Sequence, residues 1–213
     1  MTHIGPGRPR LEPRRRAGQT PRAEILDAAA ELFTINGYSN TSTRGIADAV
    51  GIRQASLYHH FSSKDDILDL LLAETITAPL EFAEALAKDP APAAVRLYAL
   101  AWFDVSQLRA ARWNLGALYL LPELRGERFA AFRERRDTLR RHYERLAAAA
   151  SAVPGVEQLP FRLVESVINI RSDEGAAAEY ADRLIPDAIL RLLGVPEDPE
   201  QTRSAAMELV DLL

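Results

Sequence analysis

After residue 20, apolar residues recur at helical spacing through almost the whole chain. Nowhere do they alternate in the two-residue rhythm of a strand bounded by turns. The pattern predicts an all-α protein. Ile25, Ala29, Leu32 and Phe33 make the first stripe, behind Thr20 as N-cap and Pro21 in the first turn, and Gly37 closes it. A second, short helix is capped by Thr41 or Ser42 and runs through Val50, with Ile46, Ala47 and Val50 facing inward. Gly51 interrupts it. A third segment from about Gln54 to Phe61 keeps Leu57 and Phe61 on one face, and Ser62 or Ser63 caps a fourth helix carrying "ILDLLL". Beyond residue 78, prolines mark the joints, including Pro79, Pro90, Pro92, Pro122, Pro154 and Pro160. Helices are expected near 93–110, 112–120, 126–152, 161–172, 175–193 and 200–212, with a kink at Pro186.

The second and third segments have the makings of a helix-turn-helix. Two short helices cross closely only if the residue at the crossing is small and the turn residue accepts a positive φ, which Ala47 and Gly51 provide. Val50, Ile52 and Leu57 then fill the core between them. On that reading the N-terminal end of the third helix enters the major groove of double-stranded DNA. Gln54 can bond an adenine edge twice, Ala55 can touch a thymine methyl, and Ser56 and Tyr58 face bases or flanking phosphates. Thr43, Tyr58 and Lys64 have the chemistry of backbone clamps, and Arg44 can serve either purpose. His59 and His60 are adjacent, so they point to different faces and make no metal pair.

Charge sharpens this division. Residues 1–64 hold nine Lys or Arg against five acids, a balance of +4, whereas the remaining 149 residues hold 17 basic and 25 acidic groups, a balance of -8. A basic end on an acidic body suits a phosphate-binding module joined to something with another task. The expected organisation is a flexible Arg-rich arm at 1–20, a DNA-binding domain at 21–64 and a helical ligand-binding and dimerisation domain at 65–213. The arm's arginines can add phosphate or minor-groove contacts. The chain has no cysteine, which removes disulfides, thiolate metal sites and cysteine nucleophiles. No apolar run has the length of a membrane span and no apolar stretch follows the N-terminal arginines, so no membrane role and a cytoplasmic location are expected. Without a Gly-rich phosphate loop, or a histidine placed with acids for metal or triad chemistry, no enzyme, metal or cofactor is expected.

In the acidic body, "PAAVRLYALAWFDVSQL" is apolar nearly all round and reads as the central helix. Asp104 is its intruder, expected to meet an internal arginine or else to hold a ligand. Trp102, Phe103, Trp113, Asn114 and Tyr119 cluster around it in sequence and are candidates, with Asp104, for the lining of a small-molecule effector cavity. The segment "RERRDTLRRHYERL" interleaves acids with arginines and reads as a solvated face with intrahelical pairs. Phe161, Val164, Val167 and Ile168 form one late stripe, and Ala177, Ala181, Leu184 and Ala188 another. These two are assigned to a homodimer interface, the alternative being that they pack within one subunit.

From about Pro21 to Ile76 the chain resembles the TetR family of bacterial transcriptional regulators. The residues that carry the resemblance are "ILDAAAELFTINGYSNTSTRGIADAVGIRQASLYHHFSSKDDILDLLL". The resemblance implies an all-helical homodimer with DNA contacts at Thr43, Arg44, Gln54, Ser56, Tyr58, His59 and Lys64. The expected function is that of a repressor released from a palindromic operator by a small, largely apolar ligand. The rival expectation is an architectural protein that coats DNA without reading it.

Overall fold

The computed structural model describes residues 20–151, 153–175, 179–195 and 199–213. The arginine-rich arm, apart from Thr20, and Ala177 lie outside the described residues. No strand occurs among those described, and none of their helices is long and apolar enough to cross a membrane. The chain divides into two compact units, Met1–Leu68 and Asp69–Leu213.

In the first unit, α1 (Pro21–Asn36) starts where Thr20 Oγ1 accepts the Ala23 N–H at 3.2 Å, and it buries Ile25, Ala28, Ala29 and Phe33. The choice of cap for α2 (Thr43–Val50) falls to Ser42, whose Oγ accepts the Gly45 N–H at 3.0 Å. Thr41 is buried instead, its hydroxyl donating to the Leu32 or Gly37 carbonyl near the end of α1. Gly51 takes φ 75° and ψ 34°, the left-handed conformation anticipated for the turn, and a Cβ there would meet nothing within 4 Å. The Ile52 N–H reaches back to the Ala47 carbonyl at 3.0 Å, which closes the helix end. The third helix, α3 (Gln54–Tyr58), is shorter than expected, though the His60 and Phe61 N–H groups still reach the Leu57 carbonyl. Ser63 caps the next helix, α4 (Lys64–Leu86), through the Asp66 N–H at 3.1 Å.

Pro79 is not a joint. It lies inside α4, which runs on to Leu86. A proline removes one hydrogen bond, to the carbonyl of Thr75, at a cost of about 3 kcal/mol. Burial of Ile76, Leu80 and Ala83 at unbroken helical spacing on either side offsets it.

The second unit is built around α5 (Ala93–Ala110), which packs against α6 (Ala130–Ala150), α7 (Leu159–Glu174), α8 (Ala181–Leu192) and α9 (Pro199–Leu212). Leu97, Tyr98, Ala99, Leu100 and Ala101 are all buried, so the helix is enclosed on every side, as its all-round apolar composition requires. The stretch expected as a helix at 112–120 is a 3-10 turn, Leu115–Leu120, followed by two more before α6. A Cβ on Gly116 would fall 2.6 Å from Ile168 Cδ1, so any side chain at this turn would force Ile168 of α7 to shift. Arg109 fixes α8 to α5 with a bidentate pair to Asp182, both contacts at 2.7 Å, and Arg203 of α9 meets Asp187 and the Tyr98 hydroxyl. The arginine-rich face of α6 carries the expected intrahelical pairs, Arg140 with Asp137 and Glu144. Arg136 instead crosses to Glu165 on α7, and Arg133 holds the carbonyls of Leu124 and Gly126.

Candidate nucleic-acid interface and effector cavity

Leu57, with no exposed surface, pins α3 to its unit and thereby turns Gln54, Ala55, Tyr58 and His59 outward. Three polar side chains on this face hold one another. Gln54 Nε2 donates to Thr43 Oγ1 at 2.9 Å, and Thr43 Oγ1 lies 3.1 Å from the Tyr58 hydroxyl. Half-buried Thr43 at the start of α2 and exposed Gln54 and Tyr58 on α3 thus form one row spanning both helices. The Gln54 carbonyl oxygen stays outside these bonds, and the amide of a side chain already held in place loses less rotamer freedom when it meets a base. Arg44 extends the surface, its side chain 80% exposed and at 4.0 Å from Asp48. At that exposure the pair has little hold on the arginine, which stays available to phosphate. Ser56 is half-buried, at the margin of the row.

Lys64 has a task that the sequence did not disclose. Its ammonium donates to the carbonyls of Tyr38 at 2.8 Å and Thr41 at 2.9 Å, and stands 4.0 Å from the centroid of the Tyr38 ring. Tyr38 in turn donates its hydroxyl to Asp65. Lysine therefore ties the start of α4 to the loop between α1 and α2.

The six candidates for the effector lining do not share either of the two cavities that members of the set border. Phe103 stacks on Phe82, ring centroids 4.5 Å apart, and Trp102 is half-buried. Asn114 donates to the Ile168 carbonyl at 2.9 Å or to Ser172 Oγ at 3.0 Å, holding the 3-10 turn to α7. Tyr119 donates to Thr75 Oγ1 at 2.7 Å and borders an open groove of about 670 Å³ beside α6. Trp113 alone of the six reaches a smaller cavity, of about 180 Å³, bounded by α4, the end of α5, the 3-10 turn and α7. Asp104 is buried, but its partner is not an arginine. The Tyr143 hydroxyl donates to its carboxylate at 3.0 Å, while Arg136, which acts on its charge from a distance, is paired with Glu165. Burial pushes the Asp104 carboxyl up to about 7, the Tyr143 hydrogen bond opposing it only in part.

The late stripes divide between the two uses. Phe161, Val164, Val167 and Ile168 are buried inside the subunit, with Phe161 lying 5.5 Å from the Tyr143 ring, and Ala181 has no exposed surface. A stripe already covered by its own chain has no apolar area left for a second copy. Leu184, 51% exposed, and the half-buried Ala188 are the members that still face outward.

One residue of the cavity was missed. Arg171 stands on the same stripe of α7, three residues beyond Ile168, and is buried with it. A charged residue that continues an apolar helical stripe is a signal the sequence carried.

The profile described as bacterial regulatory proteins, tetR family, matches residues 25–71, which contain α2, α3 and the row on their surface. Among curated proteins, the transcriptional repressor KstR2 of Rhodococcus jostii is 53% identical over 51 residues, 24% of this chain and 25% of that protein. KstR2 of Mycobacterium tuberculosis is 48% identical over 58 residues, 26% of this chain and 29% of that protein. These matches thus span between a quarter and a third of each relative's length. Among solved structures, AmtR of Mycobacterium smegmatis is 57% identical, covers 92% of this chain and 97% of its own, and superposes with a TM-score of 0.88. AibR, solved with isovaleryl coenzyme A and operator DNA, shares the fold at 22% identity and a TM-score of 0.65, over 81% of this chain and 97% of its own. With the tetR-family profile at one end and 57% identity to AmtR over 92% of its length, the chain belongs to the TetR family of bacterial regulatory proteins.

Proposed function

We propose that the protein is a homodimeric transcriptional repressor that reads a palindromic operator through α2 and α3 and releases it when a small ligand binds in the helical body. The carrying observation is the row in which exposed Gln54 and Tyr58, on a helix anchored by Leu57, are held by hydrogen bonds to Thr43 of α2. Two copies present two such helices, so the half-sites should lie one helical turn or a multiple apart. Leu184 and Ala188, with the outer face of α8 around them, are the surface we assign to the dimer. Because α4 runs from Lys64 in the first unit to Leu86 in the second, a ligand favouring one setting of that helix changes operator affinity, and operator binding changes ligand affinity by the same free energy. The function calls for no catalytic group and no cofactor, and it places the protein in the cytoplasm with DNA.

Selection of bound duplexes from a random pool tests this reading. Enrichment of a two-fold symmetric sequence, bound at least about a thousandfold more tightly than random duplex, is the expected result. Equal retention of all sequences would instead identify an architectural protein that coats DNA.

A further inference from the structure

Arg171 is 8% exposed, and its hydrogen bonds go to neutral carbonyls. One Nη donates to the Leu108 carbonyl and the other to the Ala111 carbonyl, the latter at 2.7 Å. Both acceptors sit at the C-terminal end of α5, where carbonyls lack intrahelical partners and the helix end carries roughly half a negative charge. A guanidinium has five N–H donors and a full positive charge. Arg171 Nε, also buried, meets no acceptor from the protein. Among the described residues no carboxylate comes within ion-pair distance of it. Burial first, and then the like charge of Arg109, push its pKa down. Arg109 is itself neutralised by Asp182, so that pair has nothing to spare for Arg171.

A buried arginine held this way is costly unless an anion completes it. The cavity of about 180 Å³ opens beside it, walled by Pro79, Leu108, Leu115 and Trp113. An apolar cavity of roughly 150 Å³ takes a single aromatic ring, which sets the size of the guest at about ten heavy atoms. A phosphate monoester, at about -1.5 to -2, brings more charge than one guanidinium answers. A planar carboxylate matches the fork of an arginine and brings one charge.

We propose that this cavity is the effector subsite for a small monocarboxylic acid, its carboxylate held by Arg171 and its apolar body by Leu108, Leu115 and Trp113. The assignment deepens the ligand-responsive reading above and rests on it. The rival is that Arg171 merely caps α5, in which case ligand charge is irrelevant.

Calorimetric titration of the full chain with benzoate and with benzamide separates the two, since these guests share a shape and differ in charge. Benzoate is expected to bind at least about tenfold more tightly than benzamide. Arg171→Gln should erase that preference. Because this variant also loosens the end of α5, Ala111→Leu serves as the second, filling the cavity mouth without touching the charge, and should abolish binding of both guests. Equal affinity for benzoate and benzamide overturns the proposal, as does failure of both benzoate and cyclohexanecarboxylate to bind at millimolar concentration. Operator affinity measured in parallel keeps the two readings apart. Benzoate binding that leaves operator affinity unchanged upholds the subsite and refutes the coupling, whereas release by a neutral guest alone refutes the subsite and upholds the regulator.

Discussion

Asp104→Asn tests the most unusual electrostatic feature of the body. Its carboxyl is buried in α5 with the Tyr143 hydroxyl as partner, and its pKa is raised from an ordinary 3.8 to about 7. Desolvation is the main cause. The negative charge of Glu165 adds to it, and the Tyr143 hydrogen bond and Arg136 work against it. A carboxyl whose pKa is higher in the folded state releases its proton later than in the unfolded chain. Between about pH 4 and pH 7 the unfolded state therefore holds fewer protons, and stability falls as pH rises. Below that window both states are protonated; above it both are ionised and the penalty is complete. The gap between 3.8 and about 7, at about 1.4 kcal/mol per pH unit, sets an upper bound of about 4 kcal/mol on that penalty. Asparagine keeps an acceptor for Tyr143 and carries no charge. Urea unfolding of both proteins, at one fixed protein concentration and at several pH values from 5 to 8, should show the variant gaining on the wild type steadily up to pH 7 and levelling beyond. A difference that stays flat across this range would refute the account, because then the carboxyl is already ionised in the fold or remains neutral throughout.

Other consequences follow from the DNA-binding unit and the turn beneath the cavity. Gln54→Ala should relax preference at a single base pair by about 1–3 kcal/mol in competition binding, leaving affinity for random duplex unchanged. Lys64→Met should lower stability by about 1–3 kcal/mol, since its ammonium answers two carbonyls, and should weaken binding to every sequence alike. An unchanged salt slope marks that structural role, and a slope flatter by about one marks a phosphate contact. Gly51→Ala should cost about 1–2 kcal/mol by denaturant unfolding, from backbone conformation alone, because the new methyl meets nothing. In the body, Gly116→Ala should destabilise by about 1–3 kcal/mol through its clash with Ile168, and Ile168→Ala should restore part of the loss in the double variant.

What could be read from the chain alone was whatever a few neighbouring residues decide among themselves. Thr20 and Ser42 announce helix starts because a short side-chain oxygen reaches an N–H three residues on, and Gly51 announces the turn because other residues resist a positive φ. The exposed row on α3 was legible for the same reason, since Leu57 fixes which way its neighbours point. Periodicity also told that Phe161, Val164, Val167 and Ile168 are buried, but not by what. A stripe looks the same whether its own chain or a second copy covers it, and here α5 and α6 do. Partners at long range had no local signature. Asp104 meets Tyr143 39 residues away, and Arg171 meets Leu108 63 residues away. Only the packing of α5 against α6 and α7 brought those groups together, and with them the cavity beside an incompletely answered charge.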